Sequence, residues 1–169
     1  YVVLQQAGLK GLQLITPNDD SDKASFFLYT ALGCYYQVKF DSAQYYFYES
    51  LHSAKHAHTT KLIAGASEAL MSINFQLQQP DKVDECKTIL QTIADTTKDN
   101  SILQDIYSAF GSYSQQKSFY STAQDYFIKS IQLREKELDT TKNLKAKFDY
   151  AIQCDQLSII YLNTEMPVK

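Results

Sequence analysis

The chain has 169 residues, of which 16 are Lys or Arg and 19 are Asp or Glu, so its formal net charge is −3. This length corresponds to one domain or to one piece of a longer array. A negative balance argues against a general binder of nucleic acid or of anionic membranes, because both need a basic surface. No apolar run approaches the roughly 20 residues that span a bilayer. Only 5 Gly and 3 Pro are present, too few for an all-β fold with many tight turns.

Apolar residues recur at spacings of three and four along the whole chain, as in the row Val83, Cys86, Leu90 and Ile93. This spacing is typical of amphipathic helices, and no sustained alternation of apolar and polar residues indicates strands. The sequence therefore predicts an all-α fold. Eight helices are expected, at roughly 1–15, 21–37, 41–57, 60–78, 82–95, 101–116, 120–138 and 142–163, with short polar connectors between them.

Several helix starts are predicted from capping residues, whose side-chain oxygens satisfy free amides of the first turn. Asp20 or Ser21 is expected to cap the second helix. Ser101, with Gln104 three residues later, fits the pattern of a reciprocal cap for the sixth helix. Pro80 cannot continue a helix interior, so a helix is expected to begin after it.

The predicted helices contain a repeated pattern, anchored at Ala43, Cys86 and Ala123. An apolar residue lies three positions before each anchor, a large apolar residue four positions after it, and a small or apolar residue seven positions after it. The anchors are separated by 43 and 37 residues. The average of 40 is longer than the basic two-helix repeat of about 34 residues, so the helices or connectors are expected to be longer.

These residues resemble the tetratricopeptide repeat family. Gly111, which follows Phe110, lies twelve residues before Ala123, as the family's glycine does. Ala31 and Asn74 fill the same slot in the other two copies. The resemblance implies a right-handed superhelical array of antiparallel helix pairs, that is, an α-solenoid. An unrelated helical bundle and a related α-solenoid are the alternatives.

The resemblance implies one domain over residues 1–169, made of successive repeats. Residues 1–20 would end a preceding repeat; repeats would follow at 21–58, 60–97 and 101–140, with a partial repeat at 142–169. The chain begins with Tyr1 rather than Met, and Thr164–Lys169 is similar to a connector. We therefore expect this chain to be a piece of a longer protein.

No motif in the sequence indicates a catalytic activity. His52 and His56 are four residues apart and could share a metal on one helix face, but no nearby residue supplies a third ligand, and a solvated helix face is the simpler interpretation. No phosphate-binding loop, hydrolase elbow or kinase motif is present. Three widely spaced cysteines define neither a disulfide framework nor a zinc site. The sequence predicts a non-enzyme without catalytic, cofactor or metal residues.

The resemblance implies a concave groove that binds a protein or peptide and is lined by the first helix of each pair. The groove positions carried over from the family are Leu28, Leu32, Tyr35, Tyr36, Glu68, Met71, Phe75, Gln78, Asp105, Ser108, Ser112, Gln115, Asp155, Ile159 and Asn163. This set is apolar at one end and polar to acidic toward the other. It lacks the Lys and Asn residues with which some family members clamp a terminal carboxylate.

The segment Tyr126–Glu135 is also similar to the repeats of bacterial signalling proteins. That resemblance implies a sensory or scaffold segment of a larger bacterial regulator, placed in the cytoplasm or on the periplasmic side of a membrane-anchored sensor. The expected partner is a protein or peptide, with no nucleic-acid contact and no membrane insertion by this segment. The alternative is a structural module that self-associates, as a homodimer, without a peptide ligand.

Overall fold

The computed structural model describes residues 1–16, 19–138 and 144–165, and its regular elements in these ranges are all α-helices. They are α1 (Val2–Leu14), α2 (Asp20–Tyr35), α3 (Phe40–His56), α4 (Thr60–Gln76), α5 (Pro80–Thr96), α6 (Asn100–Gln116), α7 (Tyr120–Leu138) and α8 (Leu144–Glu165). Each predicted helix is found, with its ends within two residues of the expected ones. The expected connector at 139–141 lies outside the described residues. The all-α prediction is confirmed for the described ranges.

The chain divides into two compact units, Tyr1–Asp95 and Thr96–Lys169. In the first unit α1 packs on α2, α2 on α3 and α3 on α4. In the second unit α6 packs on α7 and α7 on α8. Packing between these neighbouring helices within each unit is consistent with an α-solenoid. Among the described helices, none combines the length and hydropathy required to cross a bilayer.

Among the described residues, four non-glycine residues have positive φ values, and each lies in a turn that ends a helix. Three of them, Val38, Gln78 and Ser118, have φ values of 62°, 57° and 61° and recur at intervals of forty residues. The fourth, His58 at 50°, lies midway between the first two. In all four turns the amide after the left-handed residue donates to the carbonyl five residues earlier, at 2.9 to 3.1 Å, as is common at helix ends. The three turns at Val38, Gln78 and Ser118 indicate a structural repeat of forty residues.

The forty-residue spacing corrects the register of the middle repeat. It aligns Val83, rather than Cys86, with Ala43 and Ala123. These three residues are buried, and the amide of each donates to the carbonyl four residues earlier, at 2.9 to 3.1 Å. The anchor chosen from sequence lies three residues too late because Cys86 faces the core on the same helix as Val83. Apolar spacing alone does not separate the two positions.

The corrected register also changes which residue of the middle repeat corresponds to Gly111. Met71, rather than Asn74, aligns with Ala31 and Gly111. Met71 is only 3% exposed, and Ala31 and Gly111 are also buried, so this position lies in the core in all three copies. A small residue is thus not required there in every copy.

Asn74 instead forms a buried polar junction between three helices of the first unit. Its Oδ1 accepts a hydrogen bond from Gln44 Nε2 on α3 at 2.6 Å. Its Nδ2 donates to Tyr48 Oη at 3.4 Å and to Cys86 Sγ on α5 at 3.8 Å. A buried amide needs such partners because an unsatisfied one costs free energy. The junction links α4 to α3 through two hydrogen bonds and to α5 through the longer contact with the Cys86 sulfur.

A second contact recurs once within each unit, between the two helices of a pair. Ser50 Oγ on α3 donates to the Ala24 carbonyl on α2 at 2.8 Å. Ser130 Oγ on α7 donates to the Gln104 carbonyl on α6, also at 2.8 Å. Both hydroxyls are buried. Each short side chain lets the second helix approach the backbone of the first, and the bond compensates the burial of its hydroxyl.

The helix caps lie earlier than expected from sequence. Asp99 caps α6, because its carboxylate accepts from the amide of Ser101 at 2.9 Å, so Ser101 is inside the helix rather than its cap. Asp19 caps α2 in the same way, ahead of the predicted Asp20 or Ser21. Both caps are Asp residues, whose ionised carboxylates form charge-assisted hydrogen bonds with amides of the first turn.

The start of α5 also differs from the expectation, since Pro80 is its first residue. The first position of a helix tolerates proline, because an amide there has no partner within the helix and the fixed φ is already helical.

Val38 is a β-branched residue in the left-handed region, where its Cβ crowds the following carbonyl. We expect Val38→Gly to increase the free energy of unfolding by about 1 kcal/mol, the strain relieved being partly offset by the greater entropy of glycine in the unfolded chain. Urea denaturation followed by circular dichroism measures it. Val38→Ala removes the branch but keeps Cβ, so its gain should be smaller; an equal or larger gain for alanine would contradict the strain.

Candidate functional site

A cavity of about 340 Å³ lies in the first unit between α2 and α4, two helices in direct contact. We call it the α2/α4 groove. Phe47 of α3 contributes to its lining and is only 1% exposed, so it is anchored in the core. The residues of the lining are Leu28, Leu32, Tyr35, Tyr36, Phe47, Gly65, Glu68, Ala69 and Ser72. Its volume lies at the lower end of the range for ligand sites.

The α2 wall is apolar and aromatic. Leu28, Leu32 and Tyr35 are spaced by four and three residues and so share one helix face, and Tyr36 lies one turn after Leu32. With a rise of 1.5 Å per residue, the wall is about 12 Å long. The leucines are half-buried, whereas Tyr36 is 51% exposed and stands at the rim.

The tyrosines at this end of the groove are held by specific contacts. Tyr35 Oη accepts a hydrogen bond from Gln76 Nε2 at 2.7 Å, which joins α2 to α4. The Tyr36 ring stacks on the Tyr1 ring, with centroids 4.4 Å apart. The Tyr35 ring meets Tyr36 edge-on at 5.6 Å and lies against Phe40 at 5.8 Å. These contacts place both rings before any ligand binds.

The α4 wall is formed by small residues and one acid, and Gly65 makes it open. A Cβ atom built on Gly65 would meet no heavy atom within 4 Å. By contrast, a Cβ on Gly111 would lie 2.8 Å from the Phe127 ring. Glycine inside a helix costs about 0.5–1 kcal/mol relative to alanine. At Gly65 no packing contact explains that cost, and the missing side chain instead leaves the groove open.

The structure brings together five of the groove residues expected in the first unit, and it separates three others. Those that line the α2/α4 groove are Leu28, Leu32, Tyr35, Tyr36 and Glu68. Met71 is buried in the core instead. Phe75 is half-buried on α4 but is not part of the lining, and Gln78 lies in the turn after α4. The three-residue error in the middle register accounts for Met71.

Four lining residues were missed from the sequence: Phe47, Gly65, Ala69 and Ser72. The forty-residue period would have found Ser72, since it lies one repeat after Leu32, just as Glu68 lies one repeat after Leu28. Phe47, the large apolar residue four positions after Ala43 in the repeated pattern, is both buried in the core and part of the lining.

The expected groove positions of the second unit lie on α6 and α8. The exposed ones are Asp105, Asp155 and Ile159, and the half-buried ones are Ser108, Ser112 and Gln115. Arg134 Nη2 lies 3.9 Å from Asp105 Oδ1, so this acid faces α7. Asn163 lies outside the residues whose side chains are described.

Other reactive side chains lie outside the α2/α4 groove. The exposed His52 and His56 rings meet edge-on at 4.6 Å, and no group of three or more His, Cys, Asp or Glu able to hold a metal occurs within the described ranges. Burial raises the pKa of the Cys86 thiol to about 11. That thiol is therefore protonated at neutral pH, which suits a core residue better than a nucleophile.

Comparison with known proteins finds no match to a family model, to a curated protein or to a solved structure. The protein's architecture is that of α-helices throughout the described residues, packed sequentially within each unit, with turns that recur at forty residues and an apolar groove in the first unit.

Proposed function

We propose that this chain is a non-catalytic repeat domain that binds an extended segment of a partner protein in the α2/α4 groove. The observation that carries the proposal is the open helical wall at Gly65. The groove opposes a row of large apolar side chains on α2 to a row of small ones on α4, which leaves room for side chains of another molecule. Grooves of this kind, with a few polar groups, take peptide segments.

The proposed architecture is a tetratricopeptide-like superhelix of antiparallel helix pairs. It is supported by the recurrence of left-handed turns every forty residues and by the equivalent bonds of Ser50 and Ser130 to the preceding helix. The proposed context is a sensory or scaffold segment of a larger bacterial regulator. It is supported by the similarity of Tyr126–Glu135 to the repeats of bacterial signalling proteins. In such arrays the first helices of successive pairs form the binding surface.

The proposal is tested by filling the groove. Peptides that bind the chain are selected from a library of random heptamers, and their affinities are measured by calorimetry. We expect Gly65→Leu to weaken the selected peptides at least about 10-fold, because a leucine side chain occupies the space where partner atoms would pack. The substitution should not unfold the chain, because the new Cβ meets no neighbour.

Ser42→Leu is the matched control, since Ser42 is exposed on α3 and is not part of the lining. It adds a leucine of the same kind and should leave the affinities unchanged. Selected peptides that bind Gly65→Leu as well as the natural chain would exclude the groove as the binding site. Failure to select any peptide, together with dimers that form as concentration rises, would instead favour self-association. The exposed Val2, Val3 and Leu14 of α1 make this the second candidate.

A further inference from the structure

The side of α1 that points away from α2 is apolar, with one charge near its centre. Gly8 and Gly11 are the buried residues of α1 and face α2. Val3, Lys10 and Leu14 are exposed, and at 3.6 residues per turn they lie within about 40° of one another on a different side of the helix. We call these three residues the α1 face. Within Val2–Leu14, Lys10 is the only charged residue.

The equivalent side of α3 and α7 makes the contact within a helix pair. The forty-residue spacing aligns Lys10 with Ser50 and Ser130, which are buried and donate to the preceding helix. It aligns Val3 with Ala43, which is also buried. The α1 face therefore exposes the surface with which α3 and α7 pack on the helix before them.

The side of α8 that points away from α7 has the same pattern with the opposite charge. Ile160 is fully buried in the cluster with Phe127 of α7. Asp155, Ile159 and Leu162 are exposed, and they lie within about 60° of one another on another side of the helix. We call these three residues the α8 face. Among the α8 side chains that the structure describes, Asp155 is the only charged one.

We propose that the α1 face of one copy of this chain packs antiparallel on the α8 face of a second copy. Lys10 lies seven residues after Val3, and Asp155 lies seven residues before Leu162. An antiparallel overlap that places Val3 on Leu162 therefore brings the two opposite charges together. A parallel overlap of the same helices separates them. The inference goes beyond the proposed function, because neither face includes a residue that lines the α2/α4 groove.

The charges favour a contact between the two different faces over a contact between two identical ones. Two α1 faces would bring two Lys10 ammonium groups together, and two α8 faces would bring two Asp155 carboxylates together. Like charges juxtaposed across an interface disfavour the complex. The contact is also short, since Val3 and Leu14 are about 16 Å apart along the helix. A single helix pair of this length belongs to the weak class of interfaces, below about 1,200 Å².

The test is sedimentation equilibrium of the full chain at low salt, from about 10 μM to 1 mM, the range that detects weak association. We expect the weight-average mass of the natural chain to rise with concentration. Lys10→Glu and Asp155→Lys should each weaken association at least about 10-fold, because each places like charges across the contact. An equimolar mixture of the two variants should regain association, since it restores a pair of opposite charges. Lys61→Glu, which reverses an exposed charge on α4, is the matched control and should associate as the natural chain does.

Four outcomes would overturn the inference. A mass that stays that of a single chain up to about 1 mM would exclude the contact. Equal effects of Lys10→Glu and Lys61→Glu would show only a general effect of net charge. Association weakened by one of the two face variants but not by the other would indicate a contact between identical faces. A mixture that associates no better than either variant alone would show that the two charges do not meet. The peptide selection judges the α2/α4 groove separately, because it depends on none of these substitutions.

Discussion

Phe127→Ala is expected to lower the free energy of unfolding by about 3–5 kcal/mol, the range measured when a fully buried phenylalanine is truncated. Phe127 has no exposed surface and belongs to a cluster with Ile160 of α8. On its other side the ring contacts α6 so closely that a Cβ on Gly111 would lie 2.8 Å from it. Truncation thus removes one contact surface shared by three helices, and neither the glycine nor the isoleucine can fill the space.

The measurement is urea denaturation followed by circular dichroism at 222 nm. Phe119→Ala is the control, because Phe119 lies one residue before the same helix but is 62% exposed. Its truncation should change the free energy of unfolding by no more than about 0.5 kcal/mol. A comparable loss for the two substitutions would mean that Phe127 is not a core residue of the second unit.

The positions of the helices could be predicted from sequence because apolar periodicity and connector chemistry act locally. Val83, Cys86, Leu90 and Ile93 mark the buried face of α5 without reference to any other helix. The same local signal does not fix the register of one repeat against the next. Both Val83 and Cys86 are buried, and only the turn at Gln78 distinguishes them.

The candidate site was predictable in part, for the same reason. The positions expected on α2 all line the α2/α4 groove, because their register came from the clear copy around Ala43. Positions on α4 were mixed, since Glu68 is in the lining and Met71 is in the core. The openness at Gly65 could not be read from sequence, because a helical glycine signals either close approach or empty space, and only the surrounding atoms decide which.

Three other glycines, at the contact between α1 and α2, differ from Gly65 because a Cβ atom on each would clash with the neighbouring helix. A Cβ on Gly8 would clash with Thr30 Oγ1 and would lie 2.8 Å from the Phe26 carbonyl oxygen and 2.9 Å from the Thr30 amide nitrogen. A Cβ on Gly33 would lie 2.6 Å from the Gln5 amide nitrogen, and one on Gly11 would clash with the Phe26 ring. At Gly8 and Gly33 the atoms include backbone, which cannot rotate away as a side chain can, so these two glycines set how closely the two helices approach.

The same substitution should therefore have opposite signs at two glycines of this chain. We expect Gly8→Ala to lower the free energy of unfolding by about 2–3 kcal/mol, because the new methyl group forces α1 away from the backbone of α2 and overpacking of this kind exceeds the gain in helix propensity. Gly65→Ala, the matched control, gains the propensity without a clash and should raise it by about 0.5–1 kcal/mol. Urea denaturation of both variants, with far-UV circular dichroism for the helix content, gives the comparison. A stabilising Gly8→Ala would show that α1 does not depend on close approach to α2, whereas a destabilising Gly65→Ala would contradict the open wall on which the proposed groove rests.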